Sequence, residues 1–171
     1  MVRDDERGEM RHESTVRANA PIAEVWAEIA RLDDLLRRTP EFVGPIATDE
    51  DGDLHLKVRL AWGPLSRLVD VAVHVREAAP PHRLLWELKA PSLELTAIHT
   101  FDLTAVAEDV TSLRYVTEIR CDHRQLSKLQ RMLADHAEEH AQSMASRVAT
   151  FAAQHWQSKR RLLFRPGPAT P

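Results

Sequence analysis

The chain has 171 residues, enough for about one domain that buries some 70% of its unfolded surface. With 43% hydrophobic and 29% charged residues, wholly disordered and collagen-like chains are excluded. A net charge of -3 and a pI near 6.3 leave no positive excess to drive binding to phosphate backbones, so no nucleic-acid partner is expected.

Residues 1–11 carry both charge signs without periodicity and read as a flexible tail ahead of a domain over 12–157. Neither a secretory apolar core nor a run of about 18 apolar residues is visible, and the single cysteine, Cys121, forms no intrachain disulfide, so a cytoplasmic protein is expected. From His12 to Ala18 the residues alternate as in a half-buried strand, with His12, Ser14, Val16 and Ala18 on one side. Pro21 then opens a helix whose Ile22, Val25, Trp26 and Ile29 share one face. Leu32, Leu35 and Leu36 extend the apolar set as a second short helix, stopped by Thr39-Pro40.

Between Phe42 and Cys121 the period becomes two, punctuated at Gly44-Pro45, Asp51-Gly52, Gly63-Pro64, Pro80-Pro81, Pro91 and Glu108-Asp109. This predicts an antiparallel meander of about six strands with one apolar face. That face holds Leu54 through Trp62 in alternation, then Val69, Val71, Val73 and Val75, then Leu84, Trp86, Leu88 and Ala90. It continues with Leu93, Leu95, Ala97, His99, Phe101 and Leu103, and ends with Leu113, Tyr115, Thr117 and Ile119. Asp122 and Gln125 resemble a capping box, and a helical period runs on to about Trp156. Its stripe of Leu126, Leu133, Ala137, His140, Met144, Val148 and Phe151 lays the helix across the apolar face. At about 50 Å such a helix outreaches a domain whose radius of gyration is about 15 to 16 Å. Residues 158–171 read as a basic, apolar and proline-rich tail.

Two stretches carry a family resemblance. STVRANAPIAEVWAEIARLDDLLRRTPEF looks like the opening strand, helix and loop of the START-like or SRPBCC superfamily, which includes the Bet v 1 type. AWGPLSRLVDVAVHVREAAPPHRLLWEL resembles the hairpin region of its carbon monoxide dehydrogenase-associated and polyketide cyclase branches. The resemblance covers about His12 to Trp156 and implies an α+β helix-grip fold. In that fold a curved antiparallel sheet of about seven strands wraps a long C-terminal helix, with two short helices after the first strand. It also implies a cavity between sheet and helix for an apolar small molecule such as a lipid, quinone or polyketide. One fold hosts many activities, so it implies a pocket and not a reaction.

Within that frame His99 sits in an apolar inward row, where burial favours its neutral form. It is read as a core histidine bonded to a neighbour such as Tyr115, as a ligand contact, or as a general acid or base. Tyr115 and Thr117 on the last strand either orient a ligand oxygen or pack with their hydroxyls satisfied locally. Trp62 and Trp86 are cavity wall or plain core, and Phe101 and Met144 belong to the same interior set. His140 lies in the helix stripe and is placed to meet His99 across the cavity.

His136-Ala137-Glu138-Glu139-His140 matches H-x-x-E-H, but no acidic residue follows Glu139, so no metal site is expected. Glycine-rich phosphate loops and nucleophile elbows are missing too, and no cofactor is expected. Lys159, Arg160, Arg161, Phe164 and Arg165 interleave positive charge with apolar bulk, a pattern for a solvated tail or for peripheral contact with a membrane or protein partner. The first reading is therefore a carrier or accessory binder of a hydrophobic small molecule, with Trp62, Trp86, His99, Phe101, Tyr115, Thr117, His140 and Met144 around the ligand. The alternatives are a polyketide cyclase, aromatase or dehydratase using His99 or Tyr115 for proton transfer, and an interaction module acting through residues 158–165.

Overall fold

The computed structural model describes the backbone of residues 8–62, 65–121 and 126–163, and the side chains of 9–60, 66–121 and 138–163. Strand β1 (Gly8–Ala18) leads through α1 (Ile22–Ala30) and α2 (Leu32–Arg37) to β2 (Phe42–Thr48), β3 (Leu54–Trp62), β4 (Leu65–Ala79) and β5 (Arg83–Ala90). A single 3-10 turn (Pro91–Leu93) precedes β6 (Leu95–Ala107) and β7 (Val110–Cys121), and α3 (Leu126–Leu163) follows. The strands form one antiparallel sheet in the order β1-β7-β6-β5-β4-β3-β2. Six consecutive strands thus make a meander, and β1 joins its far edge after the two helices. The predicted α+β architecture is present, with seven strands, a long terminal helix and two short helices after β1.

Sheet register determines which side chains meet. Trp86 lies opposite His99, His99 opposite Thr117, and Thr117 opposite His12, so one inward row runs from β5 through β6 and β7 to β1. The neighbouring rows are Leu84, Phe101, Tyr115 and Ser14 on one side, and Leu88, Ala97, Ile119 and Met10 on the other. Across these rows lies α3, with Ala141, Met144, Ala145, Val148, Ala149 and Ala152 buried at helical spacing. Of the predicted stripe, Met144 and Val148 are buried and His140 and Phe151 half-buried, while the side chains of Leu126, Leu133 and Ala137 lie outside the described residues, as does the Asp122/Gln125 cap.

Four expectations need correction. Strand β1 begins at Gly8, inside the segment read as a tail. There the charged residues alternate with inward Met10 and His12 and pair with β7, Glu9 with Arg120 at 3.2 Å and Arg11 with Glu118 at 3.7 Å. Helix α3 continues to Leu163, past the predicted end near Trp156 and into the segment read as a second tail. Its good helix formers run on there, and Lys159 reaches Glu24 on α1 at 2.6 Å. Val75, expected inside, is 45% exposed, because the β4–β5 register shifts between Val75 and Glu77, a bulge that turns the side chain out. Leu93 belongs to the 3-10 turn rather than to a strand.

Candidate functional site

Between the concave face and α3 the interior divides into two parts. At the Phe101 and Tyr115 row it is solid: Trp86, Phe101, Tyr115 and Met144 are each fully buried against one another and their neighbours. At the Ala97 row it is hollow, because Ala90 and Ala97 occupy positions where larger side chains would fill the space. The resulting cavity measures about 100 Å³ and is walled mainly by aliphatic residues, among them Leu60, Val71, Leu88 and Ile119. Four polar residues interrupt that wall: Glu41, His99, Thr117 and His140.

Of the residues predicted around a ligand, the wall therefore holds His99, Thr117 and His140. Trp86, Phe101, Tyr115 and Met144 stand behind it as core, because α3 packs directly on their rows and leaves no space there. Trp62 ends β3, and its side chain lies outside the described residues. Glu41 escaped the sequence reading. It sits in the short connection between α2 and β2, where no periodicity marks it, and its backbone carbonyl accepts the Arg59 N–H at 2.7 Å, which ties the connection to β3. A lone acidic residue directly before the apolar run from Phe42 is the only signal it leaves.

His99 is held on three sides. Its ring stacks on Trp86 with centroids 3.8 Å apart, and its Nδ1 lies 2.5 Å from the Tyr115 hydroxyl and 3.0 Å from the Thr117 hydroxyl. Burial, reinforced by the nearby His140, drives its pKa well below the ordinary imidazole value, so the ring is neutral. Burial likewise pushes the Tyr115 phenol far up, which keeps its proton in place. A buried phenol must donate to something, and the Nδ1 lone pair is the acceptor against it. The network thus assigns the ring proton to Nε2. This Nε2 is buried and has no hydrogen-bond partner among the described residues.

His140 approaches His99 edge-on, with centroids 6.2 Å apart, so the structure brings together the two histidines placed across the cavity. Its Nδ1 lies 3.8 Å from Glu41 Oε1, and Arg147 Nη1 lies 3.8 Å from Glu41 Oε2. Both are ion-pair separations and too long for hydrogen bonds. His140 first, then Arg147, hold the Glu41 carboxyl down to about 2 against the opposing effect of burial, so the wall carries an ionised carboxylate near neutral pH. Among the described residues no three His, Cys, Asp or Glu side chains converge as a metal site, and the His136 side chain lies outside them.

No family model matches the chain, and no curated protein matches it in sequence. Solved structures do match. A conserved protein from Geobacillus kaustophilus superposes with a TM-score of 0.69 at 16% identity, over 85% of this chain and 96% of the other. Norcoclaurine synthase from Thalictrum flavum, in complex with dopamine and hydroxybenzaldehyde, gives 0.62 at 12% identity, over 88% and 90%. The Zhui aromatase/cyclase from Streptomyces sp. R1128 gives 0.53 at 14% identity, over 95% and 100%. The chain has the SRPBCC helix-grip fold. At these identities the likeness is one of fold, and the helix-grip scaffold by itself names no ligand.

At the far end of α3, Lys159 bonds Glu24 and Arg160 faces Asp109 at 3.8 Å, so two of the basic residues read as a docking surface have intramolecular partners. Phe164 and Arg165 lie outside the described residues. Among the described residues no helix is long and apolar enough to cross a membrane.

Proposed function

We propose that this helix-grip protein binds a hydrophobic small molecule between the sheet and α3, as a carrier or accessory protein. The observation that carries this reading is the cavity itself, an aliphatic-walled space in which the few polar groups are gathered rather than scattered. Pockets that enclose small molecules share this makeup, in which apolar area supplies affinity and a small number of polar groups fix orientation. At about 100 Å³ the space suits one ring or a short chain and falls well below the 300 to 1,000 Å³ of pockets that enclose drug-sized ligands. A lipid, quinone or polyketide would accordingly insert only a part of itself. Native mass spectrometry of gently purified protein, followed by titration with small aromatic and aliphatic compounds, tests the reading. A bound or accepted apolar molecule is expected, and refusal of all of them would overturn it.

A second reading, an acid–base enzyme of the polyketide cyclase, aromatase or dehydratase type, is favoured by one feature: an imidazole and a carboxylate, His140 and Glu41, share the wall with His99. Such a site holds a reactive chain in a near-attack shape while a wall residue moves protons. His99 faces the ligand in this reading, whereas Tyr115 stands behind it and positions its ring. His99→Ala then abolishes turnover while leaving most ligand affinity, and an unchanged product distribution would remove His99 from the chemistry.

A further inference from the structure

We infer that the head group this cavity takes is a neutral hydroxyl, of a phenol or an alcohol, which donates to the Glu41 carboxylate and accepts from His99 Nε2. This inference rests on the ligand-binding reading above and names the class of ligand.

Two side-chain atoms of wall residues are buried without a hydrogen-bond partner among the described residues, Glu41 Oε2 and His99 Nε2. Buried polar atoms are rarely left so, and a wall that holds two of them is chemically incomplete by itself. The two are of opposite kind. An ionised carboxylate only accepts. His99, only 5% exposed, has its Nδ1 taken by the Tyr115 hydroxyl at 2.5 Å, with the Thr117 hydroxyl at 3.0 Å, and therefore offers an N–H at Nε2. Both residues adjoin His140, which lies 3.8 Å from Glu41 Oε1 and 6.2 Å, centroid to centroid, from the His99 ring.

One functional group answers an acceptor and a donor together, because a hydroxyl oxygen carries its own proton and free lone pairs. An ether or ketone answers His99 alone. A carboxylate adds a second negative charge beside Glu41. An ammonium answers Glu41 alone, and that charge already faces His140 and Arg147. The remaining wall, with Leu60, Val71, Leu88, Ala97 and Ile119, calls for a hydrocarbon body, and the cavity volume limits the enclosed part to about one ring.

Calorimetric titration of the full chain near neutral pH with four matched single-ring probes tests this: 4-ethylphenol, 4-ethylanisole, ethylbenzene and 4-ethylbenzoate. The phenol is expected to bind about tenfold more tightly than each of the others, the factor that one satisfied polar pair supplies. Glu41→Leu and His99→Phe should each narrow the ratio of phenol to hydrocarbon affinity to about threefold or less. Because the ranking of the four probes on the unmodified protein needs no variant, the test survives a substitution that fails to fold. Equal affinity for phenol and anisole, or tighter binding of the benzoate, would overturn the hydroxyl inference and leave the ligand-binding reading standing. Binding of none of the four would overturn both.

Discussion

His99 shows how much one buried side chain can be asked to hold. Its ring stacks on Trp86, its Nδ1 is bonded from β7, and its other nitrogen reaches the cavity wall. Tyr115→Phe removes the phenol donor but leaves the Thr117 hydroxyl 3.0 Å from Nδ1 as a replacement. A loss of about 1 kcal/mol is expected, read as a lower urea midpoint with an unchanged slope. A loss above about 3 kcal/mol would mean that Thr117 does not take over. Trp86→Ala has no such substitute. The side chain is fully buried in the solid part of the interior, so about 3 to 5 kcal/mol is expected from the same measurement. At this scale the sequence was partly readable. A histidine between Ala97 and Phe101 in an inward row announces itself through strand periodicity, and the neighbouring Tyr115 and Thr117 follow from the same alternation. Glu41 could not be found that way, since its inward direction is set by a short connection whose course depends on where α2 ends and β3 accepts it.

Helices α1, α2 and α3 are tied together by Glu28, a carboxylate only 5% exposed in its side chain. It accepts from Arg38 at 3.0 Å and pairs with His155 on α3, while Arg31 stands 3.6 Å away. Glu28→Ala separates the helix pair from α3 electrostatically. Because Arg38 and His155 are themselves partly exposed, the expected loss is about 1 to 3 kcal/mol, well short of that for a fully buried pair. Truncation after Gln157 removes the end of α3 together with its exposed Leu162 and Leu163, and of the described contacts it gives up mainly the Lys159–Glu24 and Arg160–Asp109 pairs. Its expected effect on thermal unfolding is under about 1 kcal/mol, and a larger one would assign the helix end a packing role. Liposome flotation of the same truncated chain should equal that of the full chain, and a drop would show that the end anchors. The elements themselves were legible because each has a clean period: two for the meander, 3.6 for α3. Their limits were not. Charged residues at 8–11 and 158–163 resemble tails in isolation, and they become strand and helix only through partners more than 100 residues away on β7 and α1.

Over the whole molecule, the buried titratable groups make folding stability a function of pH. His99 has a folded pKa well below the 6.5 of a free imidazole, so as pH falls the unfolded chain takes up its proton first. Its stabilisation is complete above about pH 6.5 and declines below it, by at most about 1.4 kcal/mol per pH unit. Glu41 adds a second window of the same sign. Its pKa of about 2, against an ordinary 4.5, gives stability that is present above about pH 4.5 and lost between there and about pH 2. The windows stack, so the protein should weaken in two stages on acidification. Urea titrations at pH 7, 6 and 5 separate the first from the second, because Glu41 stays ionised throughout that range in the folded protein. Between pH 6.5 and 5.5 the unmodified chain is expected to lose about 1 kcal/mol more than His99→Phe. Exposed pairs such as His55 with Asp49, 2.7 Å apart, are common to both proteins and cancel in the comparison. A difference that stays constant from pH 7 to 5 would mean that the folded protein accommodates a charged His99. An imidazolium must donate from both nitrogens, so Nδ1 could no longer accept from Tyr115, and the hydrogen-bond polarity assigned to the cavity wall would be reversed.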